Sequence, residues 1–503
     1  MLAQNENLFE EAGRISTIFE AQNEWLMTGV NSFALHSDEI EISTQNDRLF
    51  LACLTAKGWR SWRVLSWELS DEKLIFRVAP KLKSIETKLE FVPRVSLSAL
   101  QADLRAARLA AAQNLAEIAR AELHDSAKIE RVGLSAGSRR GQFGTFARIL
   151  LGIRGKTVAV CGAIQEKTDV AKLLSHSLLW LMKLEEKREI SELWLVVEEK
   201  ASADLKRLVA LLRPGFHKKI GIYERVLEES PERKEFLKFV EKLQFEDLWR
   251  EKPKKYVRAK NVGIGETARQ IIRLVPDAMD LVRSRYGETL RFRGLPFVRV
   301  RKILEEERVL FGVEGKNQRI LDEESLPDFE RLLNDLLEHR RADTPAKNNS
   351  LFRAAPESWL ESILRRDVSA LDPNLILAPL HAQFRVSQKQ GSLDLLALRS
   401  DGRLVVIELK VSPDREHVFQ GANYWRQIEL QRRRGNLQRA RLFNDLEIAD
   451  AAPLVYLCAP LMSFHRDLEI LAKTILPDIE IWRFDLNEDW RSGVHVARRQ
   501  RIN

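Results

Sequence analysis

The sequence feature that most restricts the fold is a pair of apolar segments on either side of residue 400. Residues 393–398 read LDLLAL and residues 404–411 read LVVIELKV, with the turn-forming Ser400, Asp401 and Gly402 between them. Short apolar runs that flank such a turn are typical of a β-hairpin. We therefore expect two paired antiparallel strands here, and the other segments are interpreted relative to them.

The length of the hairpin turn decides which side chains share a face of the sheet. A two-residue turn would place Leu409 opposite Asp394, so that Asp394 would lie on the other face from Glu408 and Lys410. A three-residue turn, with Gly402 in the left-handed conformation that glycine tolerates, places Asp394 directly opposite Glu408. Glu408 and Lys410 share one face because they are two residues apart on one strand. The three-residue turn therefore predicts a polar cluster.

Two carboxylates in otherwise apolar strands need a physical reason to lie together. Like charges at contact distance are unfavourable unless a cation lies between them. A hard divalent cation bound by oxygen ligands supplies such a charge. The alternative is a solvated sheet edge on which Glu408 and Lys410 form a salt bridge.

The hairpin residues resemble the PD-(D/E)XK nuclease superfamily, with Asp394 as the aspartate of its motif and Glu408 and Lys410 as its E-x-K. The run 359–410 also looks like the C-terminal domain of archaeal-type, structure-specific single-strand endonucleases. The resemblance covers about residues 355–485. It implies a restriction-endonuclease-like α/β core, in which a mixed sheet is flanked by helices.

Two flanking segments extend the resemblance. Gln420 and Tyr424 are four residues apart, hence on one face of the next helix, and match the Q-x-x-x-Y element of RecB-like nucleases. Upstream, Glu357 and Glu361 lie at the edge of a predicted apolar helical stripe, and Glu361 matches the upstream glutamate of the family better. The stripe consists of Trp359, Leu360, Ile363 and Leu364, in a helix that Pro356 is suited to begin.

The E-x-K spacing alone is not specific. Only the occurrence at Glu408 combines a hairpin, an aspartate on the preceding strand, a following Q-x-x-x-Y and an upstream glutamate. The other occurrences lack an aspartate on a preceding paired strand; they are Glu86/Lys88, Glu185/Lys187, Glu198/Lys200, Glu232/Lys234 and Glu314/Lys316.

The resemblance implies a metal-dependent nuclease that cleaves nucleic-acid phosphodiester bonds in a repair, defence or processing role. DNA is favoured over RNA as its substrate, although the sequence itself gives no DNA-versus-RNA preference. Asp394 and Glu408 would hold Mg²⁺ or Mn²⁺, and Glu361 would complete the metal shell directly or through water. Lys410 would position the attacking water and help neutralise the transition state. The residues of the Q-x-x-x-Y element would hold the site or the nucleic acid strand. The alternative is a non-catalytic nucleic-acid-binding or scaffold protein with a nuclease-like fold.

The composition is compatible with a polyanionic partner. The 503 residues carry a net charge of +8, with a sequence pI near 9.3. A rim of arginines after the Q-x-x-x-Y element fits phosphate-backbone binding, although surface solubility is the alternative. The expected nucleic-acid-binding residues are Arg432, Arg433, Arg434 and Arg439, with Arg441, Arg498, Arg499 and Arg501 nearby in sequence or in the tail.

The cysteines and the N-terminal sequence indicate a cytoplasmic protein. Cys53, Cys161 and Cys458 are far apart in apolar surroundings, which favours neither a zinc cluster nor a disulfide framework. Residues 1–13 lack the pattern of a signal peptide, and no apolar run approaches the roughly 18 residues of a membrane span.

The segment pattern predicts a multidomain α/β chain. We expect a β-rich N-terminal domain at 1–95, a connecting helix at 96–125, and a nuclease-like domain at 126–230. A small α+β domain is expected at 231–345, with the nuclease domain at 350–503. Further helices are predicted at 173–184, 204–212, 231–248, 268–285 and 327–339, and the basic run 250–260 is a solvated loop or a DNA contact.

Residues 126–230 repeat the order of strands and helices seen in the C-terminal segment. Alignment of Gly155 with Gly402 places Ala147, Cys161 and Ala163 at the positions of Asp394, Glu408 and Lys410. This predicts a degenerate nuclease-like domain whose hairpin presents Ala147 opposite Cys161 on an apolar face. The alternative is that a common βαβ order recurs by accident.

Overall fold

The structure is a computed structural model. It describes the following parts of the chain: residues 2–28, 33–45, 48–55, 58–70, 73–80, 86–93, 97–136, 143–164, 168–227, 235–250, 264–284, 287–303, 306–313, 318–378 and 393–503.

The first half of the chain begins with a helix, continues through antiparallel strands to a second long helix, and ends in a mixed sheet. Its elements are α1 Leu2–Glu20, β1 Glu24–Thr28, β2 Phe33–His36, β3 Ile40–Thr44, β4 Leu49–Thr55, β5 Gly58–Ser70, β6 Lys73–Pro80, β7 Thr87–Pro93, α2 Leu97–Leu123, β8 Lys128–Ala136, β9 Phe143–Ile153, β10 Lys156–Ala163, α3 Val170–Glu185, β11 Glu192–Glu198, α4 Glu199–Val209, α5 Pro214–Lys219, β12 Ile220–Leu227 and β13 Glu235–Val240.

The second half repeats that order with shorter strands. Its elements are α6 Glu266–Leu274, β14 Met279–Ser284, β15 Gly287–Phe292, β16 Leu295–Ile303, β17 Glu306–Phe311, β18 Arg319–Ile320, α7 Leu326–His339, α8 Ser350–Arg353, α9 Pro356–Arg366, β19 Leu375–Leu377, β20 Leu395–Arg399, β21 Leu404–Leu409, α10 His417–Arg433, α11 Asn436–Arg439, β22 Leu454–Pro460, α12 Leu468–Ala472, β23 Ile481–Leu486 and β24 Val496–Arg501.

The chain divides into two compact units that are not continuous in sequence. The first unit comprises Met1–Gln101, Ala259–Asp367 and Asp489–Val494. The second unit comprises Ala102–Arg258, Val368–Glu488 and His495–Asn503. Each unit thus combines segments from both halves of the chain, a grouping that the linear pattern of the sequence did not indicate.

The first unit contains two antiparallel sheets. One has the strand order β2-β1-β7-β6-β5-β4-β3, and the other runs β14-β15-β16-β17-β18. The predicted β-rich N-terminal region is confirmed, but residues 2–20 form helix α1, which was not expected. Ile15 and Phe19 are four residues apart on α1 and are buried in the core of the first sheet, so the helix covers one sheet face.

The predicted helix at 268–285 is wrong beyond Leu274. Val275 precedes Pro276, and a residue before proline is disfavoured in the helical region. Val275 has φ −149° and ψ 73°, and strand β14 follows, paired along its length with β15. The predicted helix at 327–339 is confirmed by α7.

The second unit contains two six-stranded mixed sheets with the same topology. The middle copy has the order β8-β9-β10-β11-β12-β13, and the C-terminal copy has β19-β20-β21-β22-β23-β24. In both, the first two neighbour pairs are antiparallel, the next two are parallel and the last is antiparallel. The predicted repetition of strand order is confirmed, and accidental recurrence of one βαβ unit does not account for five matching pairs.

The predicted helix at 231–248 is wrong. Residues 235–240 form β13, which pairs antiparallel with β12, and Phe245–Trp249 is a short 3₁₀ helix. The exposed, charged side chains of this strand gave a misleading helical pattern, because edge strands expose residues that a central strand would bury. Most of the basic run at 250–260 lies outside the described residues.

The hairpins of the two copies have turns of different length. In the middle copy Arg154 and Gly155 both have positive φ (47° and 79°), and Lys156 pairs with Ile153, so the turn has two residues. Arg148 is therefore the partner of Cys161, and Ala147 is the partner of Gly162. The prediction of Ala147 opposite Cys161 is wrong by one residue, because the ungapped alignment assumed equal turns.

The helices of the two copies pack against one another in a single hydrophobic core. This core contains buried side chains of α3 and α4 from the middle copy and of α10 and α12 from the C-terminal copy. Trp425 on α10 is nearly inaccessible and donates a hydrogen bond from Nε1 to Pro453 O at 2.8 Å. The core-facing side of each helical layer is covered by the other copy.

Two reciprocal hydrogen bonds join equivalent segments of the copies. The N–H of Arg213, which precedes Pro214, donates to Thr474 O at 2.8 Å. The N–H of Leu476, which precedes Pro477, donates to Leu211 O at 2.9 Å. In both bonds the donor directly precedes a proline and the acceptor is the third residue before the other proline. The interface is therefore locally two-fold symmetric, with Leu212 and Ile475 as its central antiparallel bridge.

Further features agree with the composition. Cys53, Cys161 and Cys458 are buried free thiols. Within the described ranges, no helix has the length and apolar character needed to cross a membrane.

We predict that Leu212→Ala and Ile475→Ala weaken the same cooperative structure, because both side chains are buried in the shared core. Each truncation should cost about 2–5 kcal/mol in the free energy of unfolding. Hydrogen exchange should show faster opening of both β10 and β21 in either variant. Ile470→Ala, at an exposed position of α12, is the control; loosening confined to the mutated copy would contradict a shared core.

Candidate functional site

The β20–β21 hairpin has the three-residue turn expected from the sequence. Leu398 pairs with Leu404, the N–H of Arg399 donates to Arg403 O at 2.8 Å, and Gly402 has φ +81°. A Cβ on Gly402 would also lie 3.1 Å from Glu447 O, so both backbone conformation and space favour glycine.

Asp394 immediately precedes β20 and contacts β21. Leu395 pairs with Ile407, so the same register places Asp394 across from Glu408. The Asp394 Oδ2 accepts a hydrogen bond from the N–H of Leu409 at 2.8 Å. The carboxylate therefore lies against the strand segment that carries Glu408, as the sequence predicted.

Glu408 and Lys410 form a buried ion pair. The Lys410 Nζ lies 2.9 Å from Glu408 Oε1, and the two residues are only 8% and 3% exposed. The predicted proximity is confirmed, and the salt bridge of the alternative interpretation is present, but it is not at a solvated edge. Burial of both charges removes their hydration, so this pair carries a desolvation cost that a surface salt bridge does not.

Helix α10 brings the Q-x-x-x-Y residues to the same sheet face. Burial, followed by the charges of Glu408 and Asp394, raises the pKa of the Tyr424 hydroxyl above its usual range. The phenol therefore stays protonated and can donate a hydrogen bond near the carboxylates. Gln420 lies one turn earlier on α10, and its Oε1 is buried without a hydrogen-bond partner among the described residues.

His417 supports the strand that carries Glu408, and the sequence analysis did not select it. Its Nε2 lies 3.1 Å from Glu408 O, and the residue is 1% exposed. Burial and the Lys410 charge lower the pKa of His417 to about 3. The imidazole is thus neutral near pH 7, and the carbonyl partner requires the proton on Nε2.

A second acidic pair, also missed from the sequence, lies in the loop between β21 and α10. The N–H of Glu416 donates to Asp414 Oδ1 at 2.7 Å. Burial, then hydrogen bonding and repulsion from Asp414, raise the pKa of Glu416 to about 9. Burial opposes ionisation of Asp414, but bonding with Glu416 and the Lys410 charge outweigh it and lower its pKa. The available signal was the run Asp414, Arg415, Glu416 and His417, four consecutive titratable residues that begin four positions after the E-x-K.

The oxygen donors of this site fit a hard divalent cation that takes few of its ligands from the protein. Asp394 and Glu408 offer carboxylate oxygens from neighbouring strands, and Gln420 offers an unsatisfied amide oxygen on the same face. Mg²⁺ is commonly held by one or two carboxylates, with water and substrate phosphate completing its octahedron. Within the described ranges, no group of three or more His, Cys, Asp or Glu side chains is placed to hold a metal ion.

Glu361 has partners that differ from the expected metal shell. It lies on α9 in the first unit, where Arg365 Nε is 2.7 Å from its Oε1 and Arg291 Nη1 is 3.3 Å from its Oε2. Burial opposes ionisation of Glu361, but the two arginines outweigh it and lower the pKa. Both carboxylate oxygens are thus engaged by guanidinium groups of its own unit, which is the arrangement of a buried structural ion pair.

The expected arginine rim is partly occupied by internal contacts. Arg432 and Arg433 both bond the fully buried Glu429, at 2.7 and 2.6 Å. Arg434 donates to Trp249 O at 3.1 Å, whereas Arg439 donates to two uncharged oxygens, Arg434 O at 2.6 Å and Asn436 Oδ1 at 2.7 Å. Because Arg432 and Arg433 pair with the buried Glu429 carboxylate, they are less available to phosphate than Arg439.

The candidate site therefore consists of one hairpin, the loop after it and one helix of the C-terminal copy. Comparisons of the chain with protein-family models, with curated proteins and with solved structures find no match.

We predict that stability falls as the pH rises towards 9, because Glu416 keeps its proton to a higher pH in the folded chain than in the unfolded chain. An exposed glutamate ionises near pH 4.5, whereas burial and Asp414 raise the pKa of Glu416 to about 9. This stabilisation is complete below the lower value and is lost as the pH rises through the upper one, with a slope of at most about 1.4 kcal/mol per pH unit.

Denaturant unfolding at several pH values tests this expectation. Glu416→Gln should flatten the dependence between pH 5 and 9, because glutamine keeps the neutral form of the side chain. Glu447→Gln, at an exposed position, should leave the slope unchanged. Equal slopes in the wild type and Glu416→Gln would contradict the assignment.

Proposed function

We propose that the C-terminal copy is a metal-dependent nuclease that hydrolyses phosphodiester bonds, with DNA as the expected substrate. The observation that carries this proposal is the buried Glu408–Lys410 pair, with Asp394 bound to the backbone of the same strand. A restriction-endonuclease-like core is part of the proposal, supported by the mixed sheet and the helix α10 that packs on the site face.

The energetic cost of the ion pair supports a functional role. A buried salt bridge is often no more stabilising than a well-packed apolar pair of similar volume. Leu404 and Val406, on the same strand face as Glu408, are apolar and fully buried, so aliphatic residues could fill this surface. Retention of opposite charges there fits a chemical use of the carboxylate and the ammonium group.

The residues divide into groups that hold a cation and groups that act on the phosphate. Asp394 and Glu408 would hold Mg²⁺ or Mn²⁺, which lowers the pKa of bound water and stabilises developing phosphate charge. Lys410 would exchange its contact with Glu408 for one with the water nucleophile or the phosphate. Tyr424 keeps its proton and would donate it in a hydrogen bond to an oxygen in the site, while the contact of His417 with Glu408 O holds the backbone of that residue.

The first test removes the carboxylate charges. Asp394→Asn and Glu408→Gln should each lower metal-dependent cleavage of a DNA panel about a hundredfold or more, because a neutral amide binds a divalent cation weakly. Amides are preferable to alanine here, since Glu408→Ala would remove the carboxylate that pairs with the buried Lys410. Glu447→Gln is the exposed control. Wild-type rates in both site variants would remove the basis for the assignment.

The second test separates binding from turnover. Lys410→Met should abolish most cleavage while DNA affinity changes little, because one lysine supplies a small part of the electrostatic attraction. The rate and the Kd are measured on the same labelled DNA, with Lys473→Met, at an exposed position, as control. A loss of affinity equal to the loss of rate would show that Lys410 is a binding residue.

A further inference from the structure

The second unit has the architecture of a symmetric dimer formed within one chain. Both copies have the same strand order, their helices share one core, and reciprocal backbone bonds join Arg213 with Thr474 and Leu476 with Leu211. In an isologous interface, each contact from one partner to the other is returned by its equivalent. The two copies therefore occupy the places of two protomers.

The strand pairing identifies which residue of the middle copy corresponds to Glu408. Ile220 and Ile481 begin β12 and β23, and they pair with Leu193 and Val455. Two residues further along those central strands are Leu195 and Leu457. Their partners on the next strands are Cys161 and Glu408. Cys161 thus takes the position of Glu408.

The remaining positions of the site follow from the same frame. Arg148 lies across the hairpin from Cys161, where the C-terminal copy has Asp394. Ala163, two residues beyond Cys161, takes the position of Lys410. The middle copy therefore has a cation and a buried thiol in place of the two carboxylates.

The side chain of Arg148 packs against α3 of its own copy. Its Nη2 lies 3.4 Å from His176 O, and its guanidinium lies 5.5 Å from the ring centre of Trp180. His176 and Trp180 are four residues apart on α3, the spacing of Gln420 and Tyr424 on α10. A guanidinium has no acceptor atom and cannot ligate a metal ion, so this position offers no cation site.

Since only one of two symmetry-related positions has metal-binding chemistry, we propose that the protein cuts one strand of a bound duplex. The inference rests on the nuclease function proposed above. Two-fold symmetric proteins meet the two strands of DNA equivalently, so a dimer with two active halves reaches both strands. Here the middle copy would contact the duplex without cutting it, and the product would be a nicked duplex.

Each incision is a hydrolysis that consumes one water. The water oxygen forms a bond to phosphorus, the P–O bond to one sugar oxygen breaks, and that oxygen takes a proton. The products are one phosphomonoester end and one hydroxyl end on the same strand, and the opposite strand stays intact.

The experiment uses the full chain with Mg²⁺ or Mn²⁺ and two substrates. One is supercoiled circular DNA, and the other is a forked duplex with a different fluorophore on each strand. Under substrate excess, nicked circles should accumulate first, and linear DNA should appear only after a lag, when random nicks oppose each other. Forked molecules should be cut in one strand before any are cut in both.

Three results would count against the proposal in distinguishable ways. If linear DNA from the circular substrate and forks cut in both strands form without a lag, the single incision is overturned, but the proposed nuclease function stands. No cleavage of either substrate would overturn the nuclease function itself.

The third result comes from variants at equivalent positions. Cys161→Ala should retain cleavage within about twofold, whereas Glu408→Gln loses it, with folding of both checked by denaturant unfolding. Equal losses in the two folded variants would show that the middle copy takes part in cutting.

Discussion

The structure of the second unit depends on the burial of helices between two sheets. The parallel strands β10–β12 and β21–β23 are buried along most of their length, so each sheet needs a covering layer on either side. One layer of each copy consists of helices that would expose apolar side chains if the copy were alone. Trp425, Leu178 and Leu471 reach the same core from different helices. The shared core therefore joins the two copies, and either copy alone would leave these helices uncovered.

Turn length then determines what chemistry each sheet presents. The side-chain period of a strand is two, so one residue more or less in a hairpin turn moves every partner to the other face. Gly402 completes a three-residue turn, which puts Asp394 beside the strand of Glu408. Arg154 and Gly155 form a two-residue turn, which puts Arg148 at the corresponding position. The difference between the two sites thus involves backbone geometry as well as side-chain substitution.

The sequence predicted those parts of the structure that depend on local pattern. Helices α2 and α7, the repeated strand order and the C-terminal hairpin all follow from periodicity and turn residues. The formation of strand β13 depends on its pairing with β12, and the ion pair of Glu361 depends on Arg291. Both partners are distant in sequence or belong to another strand, and no local pattern specifies them. At the candidate site, Glu408, Lys410 and Tyr424 were predicted, whereas His417 was not, because its role consists of a backbone contact.

The charges of the site show why so many ionisable groups can be buried together. Burial opposes every charged form, and the structure relieves this cost by keeping some groups neutral. His417 and Tyr424 have pKa values shifted towards their neutral forms, and Glu416 retains its proton beside Asp414. The Lys410 charge then faces the carboxylate of Glu408 directly and lowers the pKa of Asp414. A divalent cation at Asp394 and Glu408 would take over the neutralisation of Glu408. The ammonium group of Lys410 would then become available to a phosphate. Its attraction to the charge that develops on the phosphate would offset the energetic cost of burying the Glu408–Lys410 pair.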